Sequence, residues 1–226
     1  MASRKEEKER LRAEREERER QEQEQAQRRA RRIRVLSAAA VLLVAVIVIV
    51  VVASGGGGKS SKAEANQGLQ VSPGPWSAET AGLKKRSEAL KLPDPSDTIY
   101  HVHAQLQVFV NGKQSKVPMN IGIDQDSQFL ASLHTHDDKG IIHMEAVEPY
   151  PFTLGQFFTI WGVKFTKTEL GAYRAGNGLT LDTFVNGKKV PDGPGYQMKS
   201  HDVIVVAFGK PGEAPKTFKP EFGPGE

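Results

Sequence analysis

At 226 residues, with a net charge of +4 and no cysteine, the chain has room for one or two domains and excludes disulfide staples, thiolate metal sites and thiol redox chemistry. The excess positive charge lies in residues 1–34, which carry 13 Lys+Arg against 9 Asp+Glu, so the remainder is balanced and nucleic-acid binding gains no support. Any metal ligands must be nitrogen, oxygen or the sulfur of Met.

Residues 1–34 are rich in Glu, Arg and Gln, with opposite charges three and four apart, as in Glu6 with Arg10 and Glu14 with Arg18. They predict a solvated charged helix. A coiled coil is the alternative, but Leu11, the alanines and Ile33 supply too few apolar a and d positions. The uncharged apolar stretch 35–54 follows. About 20 such residues, at 1.5 Å each, span a hydrocarbon layer of roughly 30 Å, which predicts a transmembrane helix. A cleaved signal peptide has a shorter apolar core, about 7 to 15 residues, after a short basic start. Arg28, Arg29, Arg31, Arg32 and Arg34 crowd one flank, whereas glycines and a lone Lys59 follow the other. This asymmetry predicts a single pass through the cell membrane with a cytoplasmic N-terminus and an extracytoplasmic remainder. The basic cluster also favours anionic membrane lipid as a partner.

Residues 55–98 read as a flexible tether with a short helix. Gly55 to Gly68 is rich in Gly, Ser and Lys, Pro73-Gly74-Pro75 breaks structure, and Ser77 is placed to cap a helix running to Leu90 before Pro93 and Pro95 end it. From Tyr100 the pattern turns to period two, with Val102, Ala104, Leu106, Val108 and Val110 on one face and His101, His103, Gln105 and Gln107 on the other. Asn111-Gly112 signals a hairpin, with Lys116 to Ile123 as the expected return strand and Pro118 favouring an edge. A further strand pair is expected around Leu133 and over Ile141 to Val147. Thr153 and Gln156 have capping-box spacing, and Leu154, Phe157, Phe158 and Trp161 follow helical spacing, which predicts the main helix and assigns these aromatics to the core. Leu179 to Val185, the turn Asn186-Gly187, Lys188 to Val190 and Val203 to Phe208 add a hairpin and a closing buried strand. The two Val-Asn-Gly-Lys turns are explained by hairpin chemistry more simply than by an internal repeat. Together these predict an α+β domain over 99–210 with one helix across a mixed sheet in a β-grasp-like manner, a cupredoxin-like β-sandwich being the alternative, and an irregular tail over 211–226.

Five of the six histidines fall in three patches: His101-Val102-His103, His134-Thr135-His136, and His143 with Glu145 two residues on. Residues two apart on a strand project from one face, so His101 with His103 and His143 with Glu145 form chelating pairs that meet if their strands are neighbours. Asp137 and Asp138 are candidate oxygen ligands or acceptors behind the ligands. The metal expected is zinc or copper, held by His101, His103, His134, His136, His143 and Glu145. His201 reads as a turn residue. No His-Glu-x-x-His, Gly-x-Ser-x-Gly or phosphate-loop motif occurs, and the cupin match fails because Gln107 and Phe109 stand where a Glu is needed.

The string His134-Thr135-His136-Asp137-Asp138-Lys139-Gly140-Ile141-Ile142-His143-Met144-Glu145, with Phe152 to Phe158 and Trp161-Gly162 after it, resembles a group of uncharacterised membrane-anchored prokaryotic proteins. The resemblance covers roughly residues 99 to 209 and implies a single-pass anchor with an extracytoplasmic domain, but no particular activity. The favoured expectation is an extracytoplasmic domain that buffers, senses or delivers a divalent transition metal. The alternatives are a non-catalytic module that binds an envelope protein, and a metal-dependent hydrolytic enzyme with Glu145 or Asp137 as general base; an enzyme is the less favoured.

Overall fold

The computed structural model describes residues 69–223, so the charged helix expected over 1–34 and the apolar segment 35–54 lie outside the described residues. Among the described residues no helix is long and apolar enough to cross a membrane. The domain is mixed α+β. Helix α1 spans Leu83–Ala89 and helix α2 spans Leu154–Trp161, while eleven strands make up the rest of the regular structure among these residues.

The long strand β1 (Tyr100–Val110) is the axis of a seven-stranded sheet. Its period-two pattern places Ala104, Leu106 and Val108 in the core. The left-handed Asn111 and Gly112 (φ 49° and 72°) turn the chain back into β2 (Lys113–Ser115). The return strand is therefore shorter and earlier than expected, and Lys116 to Gly122 is irregular chain in which Pro118 needs no ladder partner. Two small hairpins not read from the sequence follow elsewhere, β3 (Ile123–Asp124) with β4 (Phe129–Leu130) and β7 (Glu169–Leu170) with β8 (Tyr173–Arg174).

On one side of β1 lies β6 (Ile141–Ala146), antiparallel, and beyond it β5 (Leu133–His134). On the other side lies β11 (Asp202–Gly209), parallel to β1, then β9 (Thr180–Val185) and β10 (Lys188–Val190). The order is β10-β9-β11-β1-β6-β5, and β1 with β11 is the parallel pair of this sheet. A parallel pair needs a crossover, and here the chain between β6 and β11 supplies it through α2 and the β9–β10 hairpin.

Helix α2 forms where the capping-box spacing places it. The Gln156 amide donates to Thr153 Oγ1 at 3.2 Å and the Thr153 amide donates to Gln156 Oε1 at 2.8 Å, while Gly162 closes the C-terminus in the left-handed region at φ 80°. Leu154, Phe157, Phe158, Ile160 and Trp161 are fully buried and pack with Leu106, Ile142, Met144, Ile204 and Val206 of the sheet. Each such side chain contributes about 1.5–3 kcal/mol through burial, so this face is the main source of stability.

The described part of the expected tether is not loose. Trp76 is 3% exposed and meets Trp161 edge-on at 6.0 Å, and Leu83 and Arg86 of α1 are buried. Helix α1 also starts later than expected, behind Gly82 in the left-handed region with no side-chain cap. Ser77 is taken up otherwise: its carbonyl accepts from Trp161 Nε1 at 3.1 Å.

The second face of the sheet carries a small apolar cluster, Phe109, Val205 and Ala207, covered by Phe184 and by Ala214 and Phe218 of the C-terminal tail. Among the described residues the tail over 211–223 has no helix or strand and lies along the sheet. The Glu221 amide donates to Gln105 Oε1 at 2.8 Å, and Phe222 stands edge-on to His201 with ring centres 5.0 Å apart.

Candidate metal centre

Strand alternation puts His101 and His103 of β1, and His143 and Glu145 of β6, on the second face of the sheet, opposite Ala104, Ile142 and Met144. Register then does the rest. His103 stands directly across from His143, His101 across from Glu145, and His134 of β5 across from His143 on its other side. Three adjacent strands thus set His103, His143 and His134 in one row, with cross-strand Cβ spacings of about 4.5–5.5 Å.

His136 lies just past β5 and reaches the same cluster because Thr135 between the two histidines is anchored inward. Thr135 Oγ1 donates to the Pro118 carbonyl at 2.9 Å and accepts from the Ile121 amide at 3.1 Å. All six residues expected to bind metal are therefore on one face and close together. Asp137 and Asp138 are not among them: Asp137 accepts from the Lys139 amide at 3.0 Å, and Asp138 pairs with Lys116. The short turn that carries them points their carboxylates at lysines rather than back at the sheet. His201, in a left-handed turn position, donates its amide to the His103 carbonyl at 2.6 Å and stays outside both histidine groups.

The ring nitrogens converge. His101 Nε2 and His103 Nε2 each lie 3.1 Å from His143 Nδ1, and His134 Nε2 lies 3.2 Å from His136 Nε2. A tetrahedral ion with bonds of about 2.0–2.1 Å holds its ligands about 3.3 Å apart, so these spacings, which are also those of ring-to-ring hydrogen bonds, are compatible with a coordination shell. Two groups of histidines are placed to hold a metal ion: His101, His103 and His143, and His134, His136 and His143. Glu145 Oε1 lies 3.3 Å from His101 Nε2 and 3.8 Å from His134 Nε2, between the two groups.

Tautomer and charge suit ligation. His134 Nδ1 is 2.9 Å from the Ala131 carbonyl, which can only accept, so Nδ1 carries the proton and Nε2 presents its lone pair to the cluster. His103, His134 and His143 are buried, while His101 and His136 form an exposed rim. Burial, with the neighbouring histidines adding to it, pushes His134 down to about 4 and His143 to about 3. Both rings are neutral at neutral pH, so few protons compete with a metal for them.

Those depressions make the metal-free domain acid-sensitive. In the unfolded chain both rings titrate near the ordinary value of about 6.5, so below that pH the unfolded state binds more protons and stability falls as pH drops. The loss begins near pH 6.5 and continues toward pH 3–4; lowering His134 from 6.5 to about 4 alone corresponds to about 3 kcal/mol. Urea unfolding of the metal-free chain is expected to show at least this loss between pH 7.5 and 4.5, and a smaller loss in His134→Asn. Equal pH dependence in the two proteins would contradict it.

The backbone behind the site is also constrained. Gly122 has φ 75°, and a Cβ there would lie 2.2 Å from the Leu133 carbonyl oxygen and 3.1 Å from His134 Cβ. Gly122→Ala is therefore expected to cost more than about 2 kcal/mol, the left-handed conformation alone accounting for 1–2, and to weaken metal binding by displacing β5. Thermal unfolding and metal titration of this variant test both effects.

Three supporting contacts were not legible from residue types: the Ala131 carbonyl behind His134, Thr98 Oγ1 at 3.4 Å from Glu145 Oε2, and Gln105, which donates to the Lys139 carbonyl at 3.0 Å. Of these only Gln105 left a signal, its place on the histidine face of β1. Compared with known proteins, the chain matches no family model, no curated protein and no solved structure.

Proposed function

We propose that this chain is a single-pass membrane-anchored protein whose extracytoplasmic domain binds a divalent transition metal, zinc or copper, through His101, His103, His134, His136, His143 and Glu145, in order to buffer, sense or deliver it. The observation that carries the reading is the approach of His101 Nε2 and His103 Nε2 to within 3.1 Å of His143 Nδ1, from two strands. A donor set of imidazole nitrogens and one carboxylate without sulfur suits Zn(II) or Cu(II). The exposed rim of His101 and His136 gives an ion a route in and out, as buffering or delivery requires. Anchoring rests on the apolar segment 35–54 and its arginine flank. The scaffold is β-grasp-like, a reading supported by the parallel β1–β11 centre with a hairpin on each side and α2 on one face.

A three-histidine group leaves a fourth position open, and open positions are what zinc hydrolases use. That supports metal-dependent hydrolysis as the second reading, with Glu145 beside the open position as the base.

The test is elemental analysis of the full chain, purified in detergent without chelators, alongside His134→Ala/His136→Ala and His101→Ala/His103→Ala. One or more equivalents of zinc or copper in the wild type, reduced in both variants, is expected. Absence of metal from the wild type, with none taken up on incubation with either ion, would sink the reading.

A further inference from the structure

The histidines form two overlapping candidate ligand sets. Their donor atoms fall into two groups of three, each with its atoms within 4.8 Å of one another, and His143 belongs to both. Opposite ligands on a single ion with bonds of about 2.0–2.1 Å can be no more than about 4.2 Å apart. Within that 4.8 Å reach the five histidines gather as two overlapping sets of three rather than as one set of five.

We propose that the centre takes two divalent ions, one in each group, bridged by His143 as an imidazolate; this rests on the metal-binding reading above. His143 Nδ1 is committed to the first group, 3.1 Å from both His101 Nε2 and His103 Nε2. One lone pair binds one ion, so service to the second group falls to the other ring nitrogen, Nε2. The rings of the second group are adjacent: the His136 ring stands edge-on to that of His143 with centres 4.6 Å apart, and the His134 ring lies stacked on it at 5.0 Å and 14°, so it must turn for both to face one ion. An imidazole bound at Nδ1 keeps a proton at Nε2; its loss to solvent frees the second lone pair, and the ring then joins two ions about 6 Å apart, given bonds of about 2.0 Å. The bridge carries one negative charge. Glu145 adds another, since its Oε1 lies between the groups, 3.3 Å from His101 Nε2 and 3.8 Å from His134 Nε2. These two charges offset the repulsion between neighbouring dications, which a cluster of neutral imidazoles alone would not.

The experiment is titration of the full chain, stripped of metal and kept in detergent, with Cu(II), followed by native mass spectrometry and electron paramagnetic resonance. Two equivalents per chain are expected, with the integrated signal falling as the second ion enters because the bridge couples the two spins. His101→Ala/His103→Ala and His134→Ala/His136→Ala are each expected to keep one equivalent with the full signal of an isolated ion. A single equivalent in the wild type would overturn the bridge while leaving the metal-binding reading intact, and so would two equivalents whose signals simply add. No bound copper, and no bound zinc in a parallel titration, would overturn both. The wild-type measurements decide the matter even if a double variant fails to fold.

Discussion

His143→Ala is expected to weaken metal binding by about 10²–10³-fold and to abolish most of the thermal stabilisation that metal confers on the wild type. The magnitude follows from the share of one ligand. Structural zinc sites bind with about 10–16 kcal/mol over four ligands, or roughly 2.5–4 kcal/mol each, and every 1.4 kcal/mol is tenfold in affinity. His143 is the residue to change because both histidine groups contain it and it stands across from His103 on one side and His134 on the other. At a metal concentration about 1,000 times the wild-type Kd, binding to the native state adds about 4 kcal/mol. For a domain of about 150 residues, at 2–4 °C per kcal/mol, this raises Tm by about 8–16 °C. In His143→Ala the shift is expected to fall to a few degrees. Replacing His201, which lies outside both groups, is expected to leave it unchanged. The measurement is thermal denaturation with and without zinc or copper for the three proteins. A full shift in His143→Ala would place the metal elsewhere.

The elements that proved legible from sequence are those set by local chemistry. The alternation of β1, the Asn-Gly turns after Val110 and Val185, and the Thr153/Gln156 box that starts α2 each need only a few neighbouring residues to be decided. The strand return after Gly112 is not legible because β2 is three residues long and carries no alternation of its own. The segment around Trp76 read as tether because Pro, Gly and Ser dominate its composition; what holds it is contact with Trp161, 85 positions away in the chain, and composition does not report contacts.

The candidate site divides in the same way. Residue types and the two-residue spacing were enough to nominate His101, His103, His143 and Glu145, since strand geometry alone puts each pair on one face. What no local pattern contains is the register: that His143 is opposite His103 and His134 at once, and that Glu145 is opposite His101. The division into two groups sharing one ring depends on that register, which is settled by burial of Ile142, Met144 and Ala146 on the other face; a slip of one residue would turn the histidines into the core. Asp137 and Asp138 look like ligands in sequence because they adjoin His136. In the fold they belong to the turn and its lysines.

Arg86→Ala is expected to destabilise the domain by about 3–5 kcal/mol without altering the metal stoichiometry of the folded protein. Arg86 is 0% exposed, an unusual position for a guanidinium, and it ties α1 to the end of α2. Its Nη1 donates to the Ala81 carbonyl, and its Nη2 to the carbonyls of Glu79 at 2.6 Å and Ile160 at 3.3 Å. Ile160 lies in the last turn of α2, where carbonyls lack helical partners and the helix dipole favours a cation. Alanine would leave those three carbonyls without this donor and open a cavity between the helices, the combination that makes loss of a buried, hydrogen-bonded charge costly. Arg86→Lys keeps the charge but replaces a planar fork by a single ammonium, so it is expected to recover only part of the loss. The histidines lie on the other face of the sheet, so metal bound per folded chain should equal that of the wild type. Chemical denaturation of the three proteins, with metal analysis of each below its melting temperature, separates the two effects. A loss below about 1 kcal/mol in Arg86→Ala would mean that water or a neighbouring side chain satisfies the carbonyls. Lost metal in a fully folded variant would mean that the helical layer and the histidine face are energetically coupled through the sheet.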